Sequence, residues 1–343
     1  MTKEEAIEKF QHNNNLLITE YNSDRRTCRN EGKKQDPYIG EDIFGKNLDM
    51  WLSNFDVESQ KDLLKLLENY TYISKDQYGI YLDEIVDCII ENNDGDQSVL
   101  NHTYFITFPS SKGIRSGGDV IRAELPLGYM GEITKNQIIV KVDSNIKLIE
   151  KNAKIIVFID DIIGSGKTAY KNIMNCLEQF DVKKNNKKIY LATMFAKKEI
   201  IESKIELLKQ DHYEVIPILI NECKSCLEKG YIFSDDEFDE SYQKITVIEE
   251  EIAGKKLNDV GSYALGFEKS EMIISFYYNT PNNTLCMFWK PTKCNYPLFL
   301  RTSFRRPNVD IIKKNRENRK KNSYEAKRIL LSHNEANNNT IIH

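Results

Sequence analysis

Asp160 and Asp161 stand side by side after an unbroken apolar run, residues 155–159, and the chain continues Ile162, Ile163, Gly164, Ser165, Gly166, Lys167, Thr168. Adjacent carboxylates offer hard oxygen ligands to a sugar diol or to Mg²⁺. The small residues that follow let successive backbone N–H groups converge on an anion where a helix begins. Carboxylates placed just before such a nest suit a ligand with a phosphate at one end and hydroxyls or a metal ion at the other.

The apolar run predicts a strand at 154–159 that is buried on both faces of a parallel sheet, with the acids at its carboxyl end. Two other readings compete. GSGKT resembles the end of a nucleotide-binding P-loop, but that pattern needs glycine five residues before Gly166, and position 161 is aspartate. A solvated acid pair at a strand end is the plainer alternative, and it leaves the Gly-Ser-Gly turn without a purpose.

A second candidate loop follows TYFITF (103–108). It contains Ser110, Ser111, Lys112, Gly113, Arg115, Ser116, Gly117 and Gly118. Hydroxyls, glycines and two cations together suit a diphosphate.

The elements that must hold these loops can be read from periodicity. Strands are expected at 103–108, 137–142, 154–159, 188–195 and 214–220, with helices at 168–180 and 198–209. Strand alternating with helix implies a parallel sheet whose ligands bind beyond the strands' carboxyl ends. Upstream, a first helix is expected over residues 3–21, with 22–40 as loop. Asp56 caps a helix carrying Leu63, Leu64, Leu66 and Leu67. Ser74 and Gln77 form a capping box before a stripe of Leu82, Ile85, Val86, Ile89 and Ile90. Downstream, SDDEFDE (234–240) reads as solvated. Residues 272–289 read as a hairpin turning at NTPNNT, with aromatic residues that offer a stacking surface. A basic run after Arg306 reads as a solvated helix or tail, with 312–343 a candidate contact for nucleic acid. The expected division is a helical region at 1–100, an α/β core with a C-terminal extension at 101–306, and a basic tail at 307–343.

Composition narrows the classes. With 343 residues, 40% hydrophobic and 29% charged, the chain can bury a core, and its net charge of −4 gives no general pull toward nucleic acid or anionic lipid. No apolar run approaches the roughly 20 residues a membrane span needs. The charged start MTKEEAIEKF lacks an apolar signal core, so a cytoplasmic protein without membrane contact is expected. Seven scattered cysteines argue for reduced thiols, and Cys223 and Cys226 lack the second pair a structural zinc site would want.

The stretch FIDDIIGSGKT resembles the phosphoribosyl-diphosphate (PRPP) loop of type I phosphoribosyltransferases. More widely, WLSNFDVESQKDLLKLLENYTYIS, SSKGIRSGG and the segment GFEKSEMIISFYYNTPNNTLCMFW resemble phosphoribosyltransferase-like proteins of bacterial conflict and anti-phage gene clusters, retron loci among them. The resemblance implies an α/β fold with a parallel-sheet core of that type, an N-terminal helical cap and a C-terminal β-hairpin-containing extension. It implies that Asp160 and Asp161 hold the ribose hydroxyls and Mg²⁺, and that Gly164, Ser165, Gly166, Lys167 and Thr168 hold the 5′-phosphate. Lys112, Arg115, Ser116 and Gly117 would then face the pyrophosphate. Enzymes acting on 6-oxopurines carry a third acid where this chain has Gly164, so hypoxanthine or guanine salvage is not expected. The expected role is an anti-phage effector acting at the anomeric carbon of PRPP or a related nucleotide. The alternative is an inactive ribose-phosphate-binding subunit that regulates a partner protein encoded beside it.

Overall fold

The structure is a computed structural model that describes residues 2–15, 21, 43–108, 117–129, 132–140, 145–179 and 187–301. Five parallel strands form the central sheet: β2 (Thr103–Thr107), β3 (Ile138–Ile139), β4 (Ile155–Ile163), β5 (Lys188–Ala196) and β6 (Ile216–Glu222). Their order across the sheet is β3-β2-β4-β5-β6, and every neighbouring pair is parallel. The order reverses between β2 and β4, and in an open α/β sheet ligands bind at that switch point, beyond the carboxyl ends of the strands.

Side chains alternate across each strand, so the apolar run of β4 feeds two cores at once. Ile155, Val157 and Ile159 face one cluster, while Ile156 and Phe158 face the other. The second cluster is covered by α6 (Ile146–Asn152), α7 (Lys167–Gln179) and α8 (Lys198–Gln210). Toward the first lie α4 (Lys75–Glu91) and α5 (Gly117–Gly128), with α1 (Lys3–Asn13), α2 (Ile43–Leu52) and α3 (Val57–Glu68) beyond them. The Asp56 cap and the Ser74–Gln77 capping box form as expected, Asp56 accepting from the Ser59 N–H at 2.8 Å.

This first core also contains the C-terminal stretch. β1 (Thr71–Ile73) pairs in parallel with β7 (Ile274–Phe276). Trp51 Nε1 donates to the Met287 carbonyl at 3.0 Å, and Phe299 stacks on Tyr70 with ring centroids 4.2 Å apart.

Several expectations are corrected. The hairpin over 272–289 does not form: its first half is β7, which pairs with β1, and its second half is a helical turn, α10 (Cys286–Trp289). The reason is local. The N–H groups of Cys286 and Met287 are taken by the carboxylate of Glu249, so they cannot serve a ladder. Phe276, Tyr277 and Tyr278 are buried rather than offered as a stacking surface. The acidic stretch at 234–240 is solvated as expected, with only Phe238 half-buried, and it begins α9 (Asp235–Ala253), where acids in the first turn complement the helix dipole. The strand expected at 137–142 is Ile138–Ile139 preceded by a 3₁₀ turn at Lys135–Gln137, and the first helix spans Lys3–Asn13. The basic tail and the loop at 22–40 lie outside the described residues. No helix among the described residues is long and apolar enough to cross a membrane.

Candidate functional site

The end of β4 places Asp160 and Asp161 at the switch point. Asp160 is half-buried and Asp161 is buried, and the Asp161 N–H donates to Asp160 Oδ1 at 3.1 Å. Burial and then the neighbouring charge of Asp161 raise the Asp160 carboxyl well above its ordinary range. Burial pushes Asp161 up to about 6, against the pull of hydrogen bonds from Asp160 and the Ile162 backbone. The pair therefore holds protons more tightly than free carboxyls do, and a bound cation would compete with them.

Asp161 has two close neighbours. The Tyr278 hydroxyl donates to its Oδ2. Gly117, the first residue of α5, comes so close that a Cβ there would lie 2.5 Å from the carboxylate. Asp161 thus sits at the amino end of α5, where the helix dipole favours an anion. Gly117, near the end of the second candidate loop, is therefore beside Asp161; Lys112, Arg115 and Ser116 lie outside the described residues.

The turn after β4 is shaped by contacts with two other elements. Gly166 has φ +70, and a Cβ there would meet Lys204 Cγ at 2.8 Å and Ile200 Cγ2 at 3.1 Å, both on α8. Gly164 faces Asn283, whose Nδ2 would lie 1.8 Å from a Cβ at that position. Lys167 Nζ pairs with Glu268 Oε1 at 2.7 Å, and Ser165 bonds the same carboxyl. Against burial, which alone would raise it, these two partners hold Glu268 below its ordinary value. Thr168 is exposed on the first turn of α7.

The sequence did not point to Tyr278, Asn283 or Glu268, because nothing local ties them to residues more than a hundred positions upstream. Nor did it point to Tyr78, whose ring meets that of Tyr278 edge-on at 5.9 Å. The buried hydroxyls of Tyr78 and, at the end of β2, Thr107 have no hydrogen-bond partner among the described residues.

Among the described residues no three His, Cys, Asp or Glu side chains converge on a metal position. Two carboxylates alone match the way Mg²⁺ is usually held, by one or two acids completed by substrate oxygens and water. The Cys223–Cys226 pair is poorly suited to thiolate chemistry, since burial pushes Cys223 up to about 12 and Cys226 well above its ordinary value.

Gly166→Val is expected to lower stability by roughly 1–3 kcal/mol, from the forced left-handed backbone and the overlap with Lys204. Gly79→Val, in α4 with nothing within 4 Å of its Cβ position, is expected to leave the thermal midpoint nearly unchanged. Equal midpoints for the two variants would show that the turn relaxes freely.

The model of the PRTase-CE family matches residues 48–301, which spans α3 through β7 and α10 and includes both loops. No curated protein matches the chain. No solved structure matches it either.

Proposed function

The chain belongs to the PRTase-CE family and is phosphoribosyltransferase-like, and from that premise we propose that it binds PRPP or a related ribose-5-phosphate nucleotide at the carboxyl ends of β2 and β4. One observation carries the reading: two adjacent carboxyls, Asp160 half-buried and Asp161 buried, lie near the carboxyl end of β4 at the switch point, and the chain runs on through a left-handed glycine into the first turn of α7. Asp160 and Asp161 hold the ribose diol and, with the donor's own oxygens, Mg²⁺. The metal, when bound, neutralises charge on the diphosphate. The N–H groups at the start of α7 and the amino end of α5 face the donor's two anionic ends. In transfer, the bond from the anomeric carbon to the pyrophosphate oxygen breaks, the pyrophosphate leaves with the electron pair, and the acceptor's lone pair forms the new bond. Lys112, Arg115 and Ser116 attend the leaving group.

Titration calorimetry with PRPP and Mg²⁺ tests the binding step, and pyrophosphate release tests turnover. Absence of PRPP heat removes the reading. A second reading is supported by the Tyr278 hydroxyl already resting on Asp161: a regulatory subunit that binds the ligand without turnover. Binding heat with no pyrophosphate released would select it. The anti-phage role belongs to the same proposal. A phage-plating assay in which a variant lacking both acids protects as well as the wild type would remove it.

A further inference from the structure

We infer that residues 266–283 form an intramolecular plug, in which side chains of this segment hold the places a ribose-5-phosphate would take. The inference rests on the donor-binding reading above and adds to it that the site is self-occupied.

Three side chains of the segment reach three parts of the candidate site. The Tyr278 hydroxyl gives Asp161 the hydroxyl that a sugar would give. The Asn283 amide fills the space above Gly164, where a group on the donor or acceptor would have to pass. The Glu268 carboxylate supplies Lys167 and Ser165 with the anion that a phosphate would supply. A hydroxyl, an amide and a carboxylate thus imitate, in order along the turn, a diol, a polar edge and a phosphate.

The segment's backbone is unusual. Leu265, Glu268, Lys269 and Glu271 have φ of 59, 53, 57 and 50, all in the left-handed region without being glycine. Each such residue is strained, because its Cβ crowds the following carbonyl oxygen. Other contacts hold the strain in place. The Phe267 N–H donates to the Asn282 carbonyl at 2.8 Å, and Ser270 Oγ donates to the Asn283 carbonyl at 2.8 Å. Gly266 is packed so tightly that a Cβ would lie 2.2 Å from the Asn283 carbonyl oxygen. A strained segment clamped over a site has a second conformation closer in free energy than a relaxed one would. Lys167 is largely exposed while Glu268 is only 29% exposed, so the pair is partly open to solvent and salt and makes a weak latch.

A donor must displace these groups, so its apparent affinity is lowered by the fraction of molecules that are open. The test is calorimetry of PRPP with Mg²⁺ on the full chain in four forms: wild type, Glu268→Gln, Tyr278→Phe and the double variant. Both substitutions keep the shape of the side chain, and far-UV circular dichroism checks the fold. The double variant is expected to bind about tenfold more tightly or better, as removal of a competing closed state requires. Should it fail to fold, Glu268→Gln alone carries the test and is expected to bind more tightly than the wild type. PRPP binding that is equal or weaker in the variants overturns the plug and leaves the donor reading standing. No PRPP heat in any of the four forms overturns both.

Discussion

The double variant Asp160→Asn, Asp161→Asn is expected to lose all PRPP-dependent heat and, at pH 8, to unfold at a higher temperature than the wild type. On the donor-binding proposal, loss of binding follows from removing both carboxylates proposed for the diol and the metal. The gain in stability follows from the direction of the pKa shifts. Burial raises both carboxyls, Asp161 from 3.8 to about 6, and at Asp160 the neighbouring charge of Asp161 adds to it. The folded chain therefore keeps protons that the unfolded chain releases. Stability from this source is fully present below about pH 3.8 and is lost as pH rises through the folded values. A neutral amide escapes that loss. At 1.36 kcal/mol per unit, Asp161 alone accounts for roughly 2–3 kcal/mol above pH 7. The advantage of the variant should shrink toward pH 5. The same shifts predict that donor affinity in the wild type rises between pH 6 and 8, with proton release on binding visible as a dependence of the heat on buffer. Unchanged PRPP affinity in the double variant would mean the site is misassigned. Lower stability at pH 8 would mean that unseen partners stabilise the charged pair. A fold that keeps such a pair despite its cost is typical of a functional site.

The second large effect is expected at Glu249. Its buried carboxylate accepts from the backbone N–H groups of Leu265 at 2.9 Å, Cys286 at 2.8 Å and Met287 at 2.7 Å. These bonds tie α9 to residues on either side of the segment 266–283. Glu249→Ala strands three buried donors, each worth about 1–3 kcal/mol. The sum is a large part of the 5–15 kcal/mol that ordinarily separates folded from unfolded chains. Glu249→Ala should therefore lower the thermal midpoint by about 10 °C or more, or give no soluble protein. Glu249→Gln keeps one accepting oxygen and should fall between. Burial pushes this carboxyl up to about 7, so the wild type should lose stability as pH rises from 4.5 to 7, and the Gln variant should lose less. Urea midpoints across that range decide it; an Ala variant within 1 kcal/mol of the wild type would show that water replaces the carboxylate.

The core of this site was legible because its signals are local. An apolar run buried on both faces, two acids and a glycine turn all fall within fifteen residues, and Gly166 needs its positive φ for a reason visible in the chain's own geometry. The capping residues Asp56, Ser74 and Gln77 were legible for the same reason. What was not legible is made by pairing across the chain. MIISFYYNT alternates like a strand wherever its partner lies, and only the fold shows that the partner is Thr71–Ile73 rather than the residues just beyond the turn. The helix Asp235–Ala253 was hidden by its own amino end, where the density of acids that favours a first turn also resembles solvated loop. Glu249 carried no signal at all: a glutamate in a helix is ordinarily exposed, and its partners lie on segments that follow it.

The parallel pairing of Thr71–Ile73 with Ile274–Phe276 also orders events during synthesis. Everything needed for the five-stranded sheet has been synthesised once Glu222 is added, and its strands are sequential neighbours or nearly so. The amino-terminal helices must wait. Trp51 and Tyr70 cannot be covered until Met287 and Phe299 exist. Contacts of such long sequence separation form late and slowly. The nascent chain therefore carries an uncovered candidate site and an uncovered aromatic surface until residues 266–299 have been added.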